Sequence, residues 1–296
     1  MPTVSIIIIN YNTAAYTVQS VAAVQRETAE SLPYEIIVVD NASEEEDYNK
    51  LADQLPNDDR IQLIRSEVNT GFGGGNMLGF QQAKGVYLLF LNNDAFLLND
   101  CLSRLHEFLG SHPKVGVATA QNYDQNGRFV PSFDHNKGLR RLLLGRGFLE
   151  TVFPKRYPKR KQEYAQPIEV DWVNGAFLFF RREAFEAAGG FDTEIFLYFE
   201  EMDICHRLRE KGYSSMLVPD AKIEHHQGAS TQPRPALSME SYRSYFHVIK
   251  KSRGVFVLLI IKFYLGLVFL LKPKKRYLLP VLWNSSLKNH SIKPTL

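Results

Sequence analysis

Cysteine is scarce: Cys101 and Cys205 are the only two among 296 residues. Their wide spacing excludes a disulfide framework and a structural zinc site, and a reducing cytoplasm suits them. No GK[ST] follows the one glycine-rich stretch, which excludes a P-loop. Internal repeats and low-complexity tracts are absent too, so neither a solenoid nor a disordered scaffold fits. The first residues carry no basic region, and their apolar run is too short for a secretory signal, so none is expected.

The composition is 45% hydrophobic and 23% charged, enough to bury a core. The length suits one large α/β domain, or one domain with an appendage. A net charge of +3 hides strong segregation. Lys137 to Lys161 holds nine Lys/Arg against one Glu, and Lys250 to Arg276 holds eight with no acid. The remaining residues are therefore acidic in excess. Two basic blocks on an acidic body predict one basic face, suited to nucleic acid, anionic lipid or a phosphate-bearing substrate. The apolar neighbours of the second block favour the membrane over nucleic acid.

Three apolar runs organise the first hundred residues. Val4–Ile9 leads into Asn10-Tyr11-Asn12, Ile36–Val39 into Asp40-Asn41, and Val86–Leu91 into Asn92-Asn93-Asp94. Runs rich in Val, Ile and Leu without alternation read as strands buried on both faces. Helical stretches near Ala14–Arg26, Glu44–Gln54 and up to Lys84 alternate with them, and Ile61–Arg65 is a further strand. Asn99 is expected to cap a helix reaching Gly110, followed by a strand at Val115–Thr119. Such alternation predicts a mostly parallel sheet with helices on both faces. Ligands of such sheets bind outside the carboxyl ends of the strands.

Residues 122–166, rich in Gly, Pro and Lys/Arg, read as a long mobile loop or inserted arm. Order is expected to resume with a buried strand at Gly175–Phe180 and a helix at Glu183–Ala188, stopped by Gly189-Gly190. A helix at Glu200–Lys211 and a short strand at Ser215–Val218 follow, leading to His225-His226. Val255–Leu271 is apolar except for Lys262. It spans about 25 Å as a helix, short of the roughly 30 Å hydrocarbon core. Basic residues flank it on both sides, which disfavours a simple crossing. A helix lying in the cytoplasmic leaflet is favoured, the alternative being one packed on the domain or on a homodimer partner.

Several side chains suit nucleotide chemistry. Tyr11 can lay its ring on a base, or pack on the sheet edge. Asp40 can accept from a pyrimidine N–H or a ribose hydroxyl, or serve a turn. Gly71-x-Gly73 opens a helix after a strand, but residue 76, where a dinucleotide fingerprint needs glycine, is Asn. The stretch reads as a loop letting backbone approach a ligand, flanked by Asn69 and Asn76. Asp94 suits Mg²⁺ or Mn²⁺, hard ions that prefer oxygen. Glu200, Glu201 and Asp203 open a helix whose dipole favours ionised acids, one of which can act as general base.

Together, SIIIINYN, EIIVVDNAS, NTGFGGGN-x-G, LNND, DWVNGAFLFFRREAF, GGFDTEIFLYFEEMDICHRLREKGY and PDAKIEHH resemble the inverting glycosyltransferase family 2, of the GT-A fold. The likeness is to its bacterial rhamnosyltransferase-like branch. It implies a glycosyltransferase domain over residues 1–240, with a nucleotide-binding half (1–112) and a catalytic half (113–240), then a membrane-associating tail (241–296). Tyr11, Asn12, Asp40, Asn69, Gly71, Asn76 and Asn93 would hold a nucleoside-diphosphate sugar. Trp172, Asn174 and Gly175 would line the sugar and acceptor pocket. Asp94 would bind the divalent cation with help from His225, although Asn92 stands where the family's DxD-type motif has its first acid. Glu201 would be the base, supported by Glu200 and Asp203; helix phase turns the two glutamates about 100° apart, so one faces the pocket.

The implied reaction is one inverting displacement at the anomeric carbon, from dTDP-rhamnose or a UDP-hexose to a glycan acceptor, in surface-polysaccharide or O-antigen synthesis. The basic arm and apolar tail point to a lipid-linked acceptor and to attachment at the cytoplasmic face of the inner membrane. Two rivals stay open. A sugar nucleotidyltransferase would need a basic triphosphate loop, which Asn10-Tyr11-Asn12 does not supply. A non-catalytic nucleotide-sugar-binding or scaffold protein would tolerate Asn92.

Overall fold

The computed structural model describes residues 2–226 and 235–287; the outer ends of the two expected segments, at 1 and 296, lie outside them. The first half runs β1 (Val4–Asn10), α1 (Ala14–Glu27), β2 (Tyr34–Asp40), α2 (Glu45–Gln54), β3 (Ile61–Arg65), α3 (Gly71–Gln82), β4 (Tyr87–Asn92), β5 (Ala95–Leu97) and α4 (Cys101–Ser111). The second half begins with β6 (Val115–Tyr123), β7 (Phe129–Val130), β8 (Phe133–Asp134), α5 (Leu139–Leu144), α6 (Arg146–Val152), β9 (Ile168–Val170) and β10 (Trp172–Val173). It continues with β11 (Phe177–Arg181), α7 (Arg182–Ala187), α8 (Glu200–Glu210), β12 (Ser214–His225), α9 (Pro235–Leu271) and, after a 3-10 turn at Pro273–Leu278, α10 (Leu279–Trp283).

The main sheet runs β3-β2-β1-β4-β11-β6-β12-β5. β1, β2, β3 and β4 are mutually parallel, β11 enters antiparallel between β4 and β6, and β12 pairs parallel with β6. Val4, Ile6 and Ile8 face one layer, formed by α1 and α4; Ile7, Ile37 and Val39 face the other, formed by α3, α7 and α8. The unbroken apolar runs therefore fill both layers, as a doubly covered sheet requires. A third cluster joins α9, α10 and the 3-10 turn to Ile195 and Met202 of the domain.

Several expectations change. The helix after β5 is capped by Asp100, whose side chain accepts from the Ser103 amide at 3.1 Å. Asn99 is diverted to β12, donating to the Asp220 carbonyl and accepting from the Lys222 amide. The glycines expected in a loop form the first turns of α3, because this helix must pack close on the sheet. A Cβ at Gly79 would collide with Ile7 of β1, and one at Gly71 (φ +73) with the Phe196 carbonyl of the segment before α8. β6 and β12 run longer than expected because each supplies the other's ladder past a register shift at Val218/Lys222.

Residues 122–166 are not a bare loop: they hold β7, β8, α5 and α6. Their basic side chains find buried acids. Arg141 grips Asp134 at 2.8 Å, Arg156 grips Asp171 at 2.8 Å, and Arg160 donates to the Phe133 carbonyl at 2.9 Å. The tail helix starts earlier than expected, at Pro235, and breaks at Gly254 (φ 81, ψ 170). Beyond that break Leu258, Ile261, Leu265 and Phe269 pack inward, while Phe256, Leu259, Phe263 and Leu267 face out. Lys262, the one charge in the run, donates to Ser285 Oγ at 2.8 Å and lies over the Phe246 ring.

Candidate active site

The parallel register aligns Asn10 with Asp40, and Ile9 with Asn92. Three strand exits thus end side by side at the point where sheet order reverses around β1. Asn10, buried, is the hub. Its amide donates to Asp40 Oδ1 (2.9 Å), Ser43 Oγ (3.1 Å) and Asp47 Oδ2 (2.8 Å), and its oxygen accepts from Thr17 Oγ1 (2.8 Å). Asp47 Oδ1 also accepts from the Ala14 amide at 3.0 Å, capping α1 from a neighbouring helix. Neither Asn10 nor Asp47 stood out in the sequence, since each is ordinary at a strand end or in a first helical turn.

The side chains expected to meet a nucleotide divide into two groups. Tyr11, 47% exposed, offers its ring outward. The others build the frame around it. Asp40 is covered and accepts from Asn10 and the Ser43 amide, with Arg65 at 3.8 Å. Asn12 accepts from the Glu44 amide at 2.8 Å, tying the β1 exit to the β2 exit. Asn93 donates to Thr13 and Thr17 of α1. Asn69 accepts from Asn41 and from the Gly71 amide. Asn76, inside α3, donates to the Phe72 carbonyl.

Asp94 and His225, far apart in sequence, meet. β12 pairs with β5 so that His225 lies opposite Ala95, which sets Asp94 Oδ1 3.2 Å from His225 Nε2. The His226 amide donates to the Asp94 carbonyl at 3.0 Å and locks this junction. Both side chains are buried, and His225 Nδ1 has no hydrogen-bond partner among the described residues. A carboxylate beside an imidazole with one orphaned nitrogen is a donor set that fits a divalent cation.

A second acid–histidine group, Asp192, Glu194 and His247, lies elsewhere. There Asp192 accepts from His247 at 3.0 Å and from Lys251 at 2.8 Å, and their contacts hold its carboxyl well below the usual range. The lysine ammonium already supplies the positive charge a metal would bring.

α8 brings the acids. The two residues before it, Tyr198 and Phe199, both adopt left-handed backbone, at φ 74 and φ 70. Such a turn costs non-glycine residues on the order of 1–3 kcal/mol each and is typical of functional sites. It fixes how α8 begins. Glu200 turns inward; its Oε1 has no partner among the described residues, and burial first, then the Glu201 charge, push its carboxyl well above the usual range. Glu201 faces Gly175, and a Cβ at Gly175 would collide with Glu201 Oε1. Burial raises the Glu201 carboxyl as well, opposed by backbone amides including that of Gly175 and by the Lys137 charge. Asp203, one turn on, is taken by Arg207 at 2.6 Å and Lys251 at 3.1 Å.

Gly175 is itself anchored at the strand exits. β11 pairs antiparallel with β4, and the Asn92 amide donates to the Ala176 carbonyl at 3.0 Å. Two residue steps from Asp94, one strand spacing and one further step reach Gly175, a path of no more than about 16 Å. The acid–imidazole pair and Glu201 thus share one edge of the sheet. Asn174 accepts from the Ala176 amide at 3.1 Å and shapes this turn, and Trp172 Nε1 donates to the His135 carbonyl at 3.2 Å.

A sheet reversing at β1, with carboxylates at its strand exits, is the GT-A arrangement. The glycosyl transferase family 2 model matches residues 5–189, more than half of the chain, and the chain belongs to this family. It is 26% identical over 240 residues to the N-acetylglucosaminyl-diphospho-decaprenol L-rhamnosyltransferase of Mycobacterium tuberculosis, covering 75% of this chain and 76% of that one. Among solved structures, GalNAc-T7 with UDP, GalNAc and Mn²⁺ superposes with a TM-score of 0.60 at 18% identity. That match covers 84% of this chain and 48% of the other, so this chain spans about half of that protein. The mannosyltransferase PcManGT of Pyrobaculum calidifontis, with GDP-Man and Mn²⁺, superposes at 0.57 and 16% identity, covering 96% and 74%. The chain is a family 2 glycosyltransferase, similar in sequence to a rhamnosyltransferase.

Proposed function

We propose that the enzyme transfers a sugar, rhamnose from dTDP-rhamnose or a hexose from its UDP sugar, to a lipid-linked glycan with inversion at the anomeric carbon. The observation that carries this reading is the convergence of Asp94, His225 and Glu201 on one sheet edge. In the reaction Tyr11 supports the base, and Asp40, Asn12, Asn69, Gly71, Asn76 and Asn93 keep the donor loops in place. Trp172, Asn174 and Gly175 border the transferred sugar. Glu201 takes the proton from the acceptor hydroxyl as its oxygen attacks and the nucleoside diphosphate departs. Glu200 and Asp203 hold the start of α8. Asp94 and His225 would hold Mg²⁺ or Mn²⁺, which would offset charge on the departing diphosphate.

The test is a panel of nucleoside-diphosphate sugars, with and without Mn²⁺, followed by transfer to a prenyl-diphosphate-linked N-acetylglucosamine. The correct donor at a hundred times its dissociation constant adds about 2.7 kcal/mol of stability and yields a product of inverted anomeric configuration. Donor binding without any transfer would leave a binding protein. Pyrophosphate release from a sugar phosphate and a nucleoside triphosphate would make it a nucleotidyltransferase.

The second half of α9 supports membrane attachment. Its 18-residue apolar window is only 22% buried, and the outward stripe includes Phe256 (77% exposed) and Phe263 (72%), next to Lys272, Lys274 and Arg276. An apolar stripe with one face packed and cations at its end suits a helix lying in an anionic leaflet. Glu at Phe256, Phe263 and Leu267 together removes apolar area worth about 1.5–3 kcal/mol per side chain. The triple variant is expected to stay in solution when the parent floats with anionic vesicles. Equal flotation would refute the attachment.

A further inference from the structure

A cavity of about 730 Å³ opens between the arm and the C-terminal helices. Lys137, Arg141 and Arg146 of the arm line it with Lys275 of the 3-10 turn, and among the described residues no acid lines it. Arg141 is occupied by Asp134, and Arg146 lies 3.6 Å from Glu150. Among the described residues Lys137 and Lys275 have no carboxylate within 4 Å. The Lys137 ammonium sits 4.3 Å from the Phe199 ring centre and 5.8 Å from that of Trp172. Burial lowers its pKa, with Asp134 and Glu201 pulling the other way. A partly dehydrated cation held by rings, without an ion-pair partner, is poised to receive an anion.

Most of the remaining wall is apolar, from Leu142, Leu265, Leu278 and Tyr242, with hydroxyls from Ser238 and Ser241. The ligand chemistry is therefore amphiphilic: concentrated negative charge next to hydrocarbon. The wall is also continuous with the proposed membrane face, since Leu265 lines the cavity while Phe263 and Leu267, on the same helix, face outward. The inner end is continuous with the site. Phe199 lines the cavity and immediately precedes α8, and Lys137 is the cation that opposes the raised Glu201 carboxyl.

We propose that this cavity binds the diphosphate and the first isoprene units of a polyprenyl-diphosphate-linked acceptor, with Lys137 and Lys275 on the phosphates. The assignment rests on the glycosyl-transfer reading above and adds to it the place where the carrier is held. The tail lies along the outward face of α9 in the leaflet, the diphosphate enters between the arm and the 3-10 turn, and the attached sugar is presented to Glu201.

The probe is farnesyl diphosphate, bound to the full-length protein in mild detergent, against farnesol and inorganic diphosphate. Farnesyl diphosphate is expected to bind at least about tenfold more tightly than either, because both halves of the cavity are used. Lys275→Glu weakens that binding by about tenfold or more, Lys275→Ala by less, and Lys275→Arg restores it. UDP and dTDP binding stay at the parent level in all three. Inorganic diphosphate binding as tightly as farnesyl diphosphate, or Lys275→Glu and Lys275→Ala binding farnesyl diphosphate like the parent, overturns the assignment. Neither result touches the donor site. Failure of every nucleoside diphosphate to bind the parent protein would instead remove the glycosyl-transfer reading itself.

Discussion

Glu201→Gln is expected to lower turnover by about two to four orders of magnitude, the range for loss of a positioned general base. Donor binding should survive, because Gln keeps the shape that lies against Gly175. The wild-type acid limb should also sit above the ordinary carboxylate range, since burial raises the Glu201 carboxyl and only the ionised form accepts a proton. The adjacent Glu200→Gln should behave oppositely, with turnover within a few-fold of wild type. Burial first, then its acidic neighbours, raise the Glu200 carboxyl well above the usual range. Between its unfolded and folded pKa the native state binds more proton than the unfolded chain, so stability falls as pH rises through that window. Removing the titration should flatten the loss of melting temperature as pH rises above the ordinary carboxylate range. Near-normal turnover in Glu201→Gln, or a collapse in Glu200→Gln alone, would reverse the assignment.

Asp94→Asn carries the second large effect, a loss of about two to three orders of magnitude in turnover, as for removal of one main electrostatic group. The substitution keeps the backbone junction in which the His226 amide donates to the Asp94 carbonyl, so the fold should persist. It removes the charge that lies 3.2 Å from His225 Nε2. The decisive readout is therefore binding rather than rate alone. In the parent, Mn²⁺ should tighten nucleoside-diphosphate binding; in Asp94→Asn that increment should vanish while metal-free binding remains. An unchanged Mn²⁺ increment would place the cation elsewhere and leave Asp94 as a strut of the β5–β12 junction.

The strand exits were legible because their pattern is local: an apolar run of β-branched residues followed by Asn or Asp needs no partner to be recognised. The same locality leaves residues 122–166 open between a mobile loop and an inserted arm. Their Gly, Pro and Lys/Arg content fits both, and only Asp134 and Asp171, buried by pairing with Arg141 and Arg156, give the segment order. Asn10 was invisible as a hub, since its four hydrogen bonds reach three other segments. Asn99 lost the cap to Asp100 because β12 arrived to claim its amide. The tail looked apolar all round, and only packing split it into a buried face and an exposed one.

By itself the sequence determined the alternation of strands and helices, the placing of polar residues at three strand exits, and the family. Those follow from side-chain periodicity and turn chemistry, which act over a few residues. Tertiary structure alone decided that His225 reaches Asp94, that Glu201 rather than Glu200 turns toward Gly175, and that Lys137 links Glu201 to a cationic cavity. Each of these depends on strand register or on a strained helix start. Both are set by the packing of distant segments, which no local pattern encodes.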